Sequence, residues 1–317
     1  MATIVEMINP LTGLPEQVDK LDHTAQEIDD AVGRSLPGAA IDAAIQAKPN
    51  PNLLDNWYFG NPVNQRGVTS GEAGWTDYYL DRWMGYCKYE LTNTGLKLEA
   101  NSYLLQRLER TPIFPATLSV KLASGELFYA TFTQGGAVNV PNYGTFGVIA
   151  ASGDAPAYVY AINGSTVTVE AAKLELGSQQ TLAHQDENGN WVLNEIPDYG
   201  EQLAKCQRHQ LRVGYKEDST YSPVLATGVA VSSASIRALI PTPVTMRENP
   251  VISFFESDTI STIHAIGNGV SLTPTAIDAR VNSNGIFLNL TVSGATVNET
   301  YAITFDHARG LMLDANL

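Results

Sequence analysis

Asn52-Leu-Leu-Asp-Asn-Trp-Tyr-Phe-Gly-Asn-Pro-Val-Asn-Gln-Arg-Gly67, closed downstream by Leu80-Asp81-Arg82-Trp83, is the stretch whose reading decides the fold. It sets four large aromatics, Trp57, Tyr58, Phe59 and Trp83, among Asn, Gln, Gly and Pro. Aromatics dominate the interiors of packed sheets, and short amides hold loop backbone by local hydrogen bonds. The mixture therefore suits the opening of a β-sandwich. The stretch holds no nucleophile–base pair, no metal-ligand spacing and no phosphate loop, so it points toward structure and binding rather than catalysis.

Downstream, residues 53–195 read as strands. Leu96, Leu98 and Ala100 alternate with Lys97 and Glu99, and Leu118, Val120 and Leu122 alternate with Ser119 and Lys121. Phe128 to Phe132, Val138 to Val140, Tyr158 to Ile162 and Val167 to Leu176 continue the series, with turn signals at 123–126, Gly135-Gly136 and Asn163-Gly164-Ser165. Short strands at this spacing predict a sandwich or barrel. Strands do not alternate with long helices, which argues against a doubly wound parallel sheet.

Pro197-Asp-Tyr-Gly-Glu201 predicts a helix start, with Asp198 as cap and Glu201 completing a capping box. Tyr199, Leu203, Cys206 and Gln210 would share one face. Lys205, Arg208 and His209 would complement the helix dipole. A second β region follows over 215–317, with candidates around Val229 and Val231, Ile236 and Ala238, 251–255, 263–266, Ala279 and Val281, 286–290 and 301–305. Pro241, Pro243 and Pro250 favour edges and loops there.

Upstream, Val18, Leu21, Ala25, Ile28 and Val32 are spaced as an a/d heptad seam, with Pro15 at the helix start and Gly33 and Pro37 at its end. The seam predicts a short helical, coiled-coil-like segment over residues 1–50 through which copies of the chain associate. One amphipathic helix lying on its own domain is the alternative. Ala39 to Lys48 reads as a second short helix, and Lys48-Pro49-Asn50-Pro51-Asn52 as an extended linker at a domain boundary.

The chain has 317 residues, 44% apolar and only 16% charged, against roughly 25% charged in soluble proteins generally. Its formal net charge of −14 argues against the nucleic-acid backbone, which needs clustered cations, and against an anionic membrane surface. The N-terminus has no basic region or long apolar run, so no signal peptide is read. No run is long enough to span a membrane. The expectation is a protein made and kept soluble in the cytoplasm, which leaves by a route such as lysis. Cys87 and Cys206 are read as two lone buried thiols in preference to one disulfide.

The five histidines, at 23, 184, 209, 264 and 307, are scattered, and no Gly-x-Ser-x-Gly elbow occurs. No catalytic residue, metal site or cofactor is assigned. Asp77 and Asp81, beside the aromatic cluster, are read as solvated or arginine-paired carboxylates in preference to calcium ligands. Trp57, Phe59 and Trp83 are read as core. Sugar C–H groups stack on exposed aromatic faces, which singles out Trp75, Tyr78 and Tyr79 in a glycine-rich loop, and Tyr215 and Tyr221 beyond the linking helix, as glycan-binding candidates.

Three segments resemble phage and prophage tail-fibre, or receptor-binding, proteins. They are Asn52-Leu-Leu-Asp-Asn through Gln65-Arg66-Gly67 to Asp81-Arg82-Trp83, then Ala172-Lys-Leu-Glu-Leu-Gly177 with Thr181-Leu182, then Pro197-Asp-Tyr-Gly-Glu-Gln-Leu-Ala-Lys-Cys-Gln-Arg208. Ile240-Pro-Thr-Pro-Val-Thr-Met-Arg247 and the ending Leu-Asp-Ala-Asn-Leu317 are similar to the distal domain of such fibres. The resemblance implies a mainly β chain. A helical segment (1–50) precedes a jelly-roll β-sandwich like that of carbohydrate-binding modules (51–196), a linking helix (197–214) and a distal, receptor-binding β-sandwich (215–317). It also implies a non-enzymatic homotrimer in the virion tail that attaches to a host surface glycan. Residues 1–50 would join other tail, baseplate or fibre proteins. A purely structural collar or baseplate fibre is the alternative, and a polysaccharide depolymerase a more distant one.

Overall fold

A computed structural model of the chain describes residues 4–8, 15–19, 50–74, 77–109, 111–150, 158–214, 224–254, 260–282, 285–305 and 311–315. The chain divides into two compact units, Met1–Pro49 and Asn50–Leu317.

In the first unit, strands Ile4–Ile8 and Pro15–Asp19 pair antiparallel, with Val5 opposite Val18. The sequence reading begins a helix at Pro15, whereas Pro15–Asp19 is extended. Ile4-Val5 supplies a β-branched partner strand close in sequence, and Pro15 stands at the first strand position, where a missing N–H is tolerated. Val18 of the expected seam is thus in a strand; Leu21, Ala25, Ile28 and Val32 lie outside the described residues, as does the expected helix over Ala39 to Lys48.

The second unit is mainly β and antiparallel, with two separate hydrophobic cores. Around the first core, one six-stranded sheet runs Leu127–Phe132, Ala116–Leu122, Val167–Leu176, Gly95–Leu98, Cys87–Thr92, Ser70–Ala73 from edge to edge. The other runs Gly136–Val140, Gly144–Ile149, Tyr158–Asn163, Tyr103–Arg107, Trp83–Met84, Tyr78–Leu80. Leu118 and Val120 from the first sheet and Leu104 and Val159 from the second belong to one core, which makes the arrangement sandwich-like. Trp57, Phe59 and Trp83 are buried in it as expected, with the Phe59 and Trp83 rings 5.3 Å apart. Cys87 and Cys206 are free and buried.

Ala116–Leu122 is buried on both faces, and the sequence motif around Ala172 explains how. Leu174 points into the core, while Lys173 and Glu175, its neighbours on the opposite face, are also fully buried. Lys173 Nζ lies 3.7 Å from Glu175 and donates to Thr181 Oγ1 at 2.9 Å, and the Thr181 backbone N–H donates to Glu175 at 2.6 Å. The segment after Gly177 therefore lids the sheet, and charged groups, not apolar ones, fill the space beneath it.

The second core lies between a three-stranded sheet, Gln210–Val213, Leu311–Asp314, Val251–Phe254, and a seven-stranded sheet. The seven-stranded order is Val270–Leu272, Ile263–Gly267, Thr300–Phe305, Val224–Ser232, Ser235–Ile240, Gly285–Thr291, Ala276–Asn282. Between the two β regions stands the helix Tyr199–Gln207, capped by Asp198, which accepts the Glu201 N–H at 2.9 Å. Gln202 and Cys206 form its buried face and Tyr199 is exposed. Gln210 begins the next strand, so the single face expected to run from Tyr199 to Gln210 does not form.

Lys173→Ala is expected to lower stability by about 3–5 kcal/mol by stranding Glu175 in a dry site, whereas Lys173→Met combined with Glu175→Gln, which removes both charges and keeps an acceptor for the Thr181 N–H, restores most of the loss. Urea denaturation of the three proteins measures this.

Candidate functional site

The two β regions of the second unit meet through side chains of the opening stretch. Asn56 stands at the centre, buried and with φ +52°, a left-handed conformation that Asn tolerates better than other non-glycine residues. Its side-chain amide donates to the Val63 carbonyl (2.8 Å) and the Asp81 carbonyl (2.9 Å), and its Oδ1 accepts the Val63 N–H (2.7 Å). Its backbone N–H donates to Gln202 Oε1 of the helix at 2.7 Å, and its carbonyl accepts Trp83 Nε1–H at 2.9 Å. One asparagine thus fixes the loop, the core tryptophan and the helix together.

Gln65 extends the junction. Its backbone N–H and side-chain amide donate to Asp81 at 2.6 and 2.8 Å, and the same amide reaches the Gln210 carbonyl at 2.8 Å. Arg212 Nη1 returns to the Gln65 and Arg66 carbonyls at 3.0 and 2.8 Å. Asp81 is fully buried and amide-paired, not solvated or arginine-paired as its sequence position suggested. Burial pushes its carboxyl up to about 6, partly offset by the Gln65 hydrogen bonds and the nearby Arg66 guanidinium. Asp77 is exposed and caps its own loop through the Gly74 N–H at 2.9 Å.

Beside this junction opens a cleft of about 350 Å³. Leu53, Leu108, Ile113 and Leu176 line it, with Ile113 76% exposed, together with Asp55, Arg82, Glu109 and His209. Arg82, with φ +70°, is held by Asp55 at 3.0 Å and by the Arg107 carbonyl at 2.8 Å. Gln106, fully buried, clamps the Asp55 backbone through two 2.8 Å hydrogen bonds. His209 is 1% exposed, and its Nε2 lies 2.9 Å from Glu109. Burial first, then the Arg82, Arg247 and Arg208 guanidiniums, push its imidazole down to about 3. The Glu109 contact is therefore a hydrogen bond from neutral imidazole at neutral pH, not an ion pair, and His209 does not complement the helix dipole as a cation. Arg82 is paired to Asp55 and Arg208 lies 3.4 Å from Glu109, so the lining mixes apolar side chains with ion-paired ones, and Lys205 adds a further cation.

Of the glycan-binding candidates, Tyr79 is 3% exposed and packs on Tyr89 with ring centroids 4.6 Å apart, so its ring is a core element and not a sugar platform. Tyr78 is half-buried, with the Arg66 guanidinium 5.8 Å from its ring centre. Trp75, Tyr215 and Tyr221 lie outside the described residues. Asn56, Gln65, Gln106 and Gln202 were not singled out in the sequence. The available signal was Gln106 at an inward position between Leu104 and Leu108, where an amide needs buried partners.

Among the described residues, no group of three His, Cys, Asp or Glu side chains is placed to hold a metal ion, and no helix is long and apolar enough to cross a membrane. Comparison with family models, curated proteins and solved structures finds no match to this chain.

Asn56→Ala would leave the Val63 N–H and C=O and the Asp81 C=O without partners. An expected loss of about 3–5 kcal/mol follows, read as a lower urea midpoint. His209 also makes stability depend on pH. Its folded value lies below its unfolded value of about 6.5, so the unfolded chain binds the extra proton, and stability declines as pH falls from about 6.5 toward 3. Asp81 acts in the opposite sense between its ordinary value and about 6. His209→Gln keeps an N–H for Glu109 and removes the titration. The fall in stability between pH 7 and pH 4 is therefore expected to shrink by about 3 kcal/mol relative to the native chain.

Proposed function

We propose that the chain is a non-enzymatic, homotrimeric tail-fibre or receptor-binding protein of a phage, carried in the virion tail and attaching it to a bacterial surface glycan. The first β region is its jelly-roll, residues 215–317 the distal domain, and residues 1–50 the attachment to other tail, baseplate or fibre proteins.

The observation that carries this reading is the convergence of the resembling segments. Asn52 donates to the Ala172 carbonyl at 2.9 Å and accepts the Leu174 N–H at 3.1 Å, which joins the first segment to the second. Asn56 takes Gln202 of the third segment, and Gln65 takes Asp81 within the first. The first segment therefore packs against both of the others, as the resemblance implies for parts of one architecture. The resemblance also accounts for a surface poor in charge on a chain whose net charge disfavours nucleic acid and anionic membranes as partners.

Light scattering of the purified chain is expected to give three times its 34.2 kDa mass, and fluorescently labelled protein is expected to adsorb to host cells. A monomer at micromolar concentration overturns the trimer. A trimer that adsorbs to no host cell leaves a purely structural fibre component instead.

A further inference from the structure

The cleft beside the junction gathers three apolar side chains that the fold leaves open. Leu53 is 38% exposed, Leu176 40% and Ile113 76%, the highest value of any large apolar side chain among the described residues. Single exposed aliphatics are ordinary; several around one cavity mark a binding surface. Backbone bonds fix their positions. The Leu53 N–H donates to the Leu174 carbonyl at 2.8 Å and the Gly177 N–H to the Pro115 carbonyl at 2.8 Å, which ties the opening stretch, the end of Val167–Leu176 and the segment before Ala116 together. Pro112 and Pro115 restrict the backbone on either side of Ile113. The apolar surface is thus preformed, as in most ligand pockets.

The charges around it do not balance. Both carboxylates of the cleft are engaged: Asp55 holds Arg82 at 3.0 Å, and Glu109 lies 2.9 Å from His209 and 3.4 Å from Arg208. Three cations, Arg82, Arg208 and Lys205, share these two carboxylates, and Lys205 forms no ion pair among the described residues. Cations therefore outnumber carboxylates here, on a chain whose net charge is −14. Lys205 stands in the last turn of the helix Tyr199–Gln207, whose end carries a partial negative charge. That end opposes a ligand anion, but the full charges of Lys205 and Arg208 outweigh it.

Among the described residues no aromatic side chain lines the cleft, so it offers no stacking face for a sugar. Its volume of about 350 Å³ holds roughly ten methylene-sized groups, at the about 30 Å³ that one water occupies in the liquid. We infer that the cleft binds a free aliphatic carboxylate of medium chain length, with the carboxylate at Lys205 and the chain against Leu53, Ile113 and Leu176. This stands apart from the attachment reading, which survives if the inference fails.

Calorimetric titration of the full chain with octanoate, octanol and octylammonium tests it. Octanoate is expected to bind with a Kd of about 1 mM or below, and about fivefold or more tightly than either of the other two. Lys205→Glu is expected to weaken octanoate by about tenfold and to leave octanol within about twofold of its native affinity. Ile113→Asn is expected to weaken octanoate and octanol alike, by about tenfold. Both residues are exposed, so the variants are expected to keep the native urea midpoint; should one lose it, Lys205→Gln or Ile113→Ser takes its place. Octanoate binding that both variants retain overturns the site. Equal affinity for the three ligands overturns the preference for a carboxylate. Absence of octanoate binding overturns the inference outright, and cosedimentation with vesicles of phosphatidylcholine and oleate in that case assigns the surface to lipid instead.

Discussion

Asn56 carries the constraint on which the second unit depends. Every polar group it owns is engaged inside the protein, and its partners come from three places: its own loop, the core strand at Trp83 and the helix at Gln202. Neither an aliphatic residue nor a carboxylate substitutes for it. An aliphatic side chain leaves three backbone groups unpaired, and a carboxylate presents an acceptor to two carbonyls. Its left-handed backbone narrows the choice further, because β-branched residues are strained there. The block of aromatics and amides thus works in two layers. Trp57, Phe59 and Trp83 fill the core, and the amides between them fasten the core to the helix.

The same principle recurs under the segment that follows Gly177. Lys173, Glu175 and Thr181 are fully or almost fully buried and satisfy one another. A buried ion pair adds little net stability compared with well-packed apolar side chains. What it adds is register. Lys173 and Glu175 meet Thr181 only if Val167–Leu176 sits in its observed alignment, and slipping by one residue would push both charges into the hydrophobic core. The junction imposes a comparable condition, since Gln65 must reach Asp81 and Gln210 at once.

Legibility in the sequence follows the same physics. The mainly β class was readable because Leu118-Ser-Val-Lys-Leu122 and its counterparts alternate cleanly. The buried aromatics were readable because few sites other than a core accommodate so many together. Tyr103–Arg107 and Gly144–Ile149 were not read as strands: one carries Gln106 at an inward position, the other Gly147 in mid-strand, and each exception exists for a partner distant in sequence. Tyr79 misled for a related reason. A glycine-rich neighbourhood suggests an exposed loop, but Tyr78–Leu80 is an edge strand with a register shift in its pairing, and Tyr79 and Leu80 are both buried. Pro15–Asp19 shows the reverse case: Pro15 reads as a helix start, yet this stretch pairs with a nearby β-branched segment.

Residues that broke the sequence pattern fall into two physical kinds. Asn56, Gln65, Gln106 and Asp81 are polar groups turned inward, where their hydrogen-bonding capacity is consumed by the protein, so little remains for a ligand. Gly147 with Tyr160 is an aromatic on the outward side of its strand, whose ring reaches over the glycine of the next strand. Aromatic content by itself does not distinguish the two. The difference lies in which side of a strand each ring occupies and in what its cross-strand neighbour leaves room for. On that ground the opening block is architecture: its aromatics fill the core and its amides are spent on backbone partners.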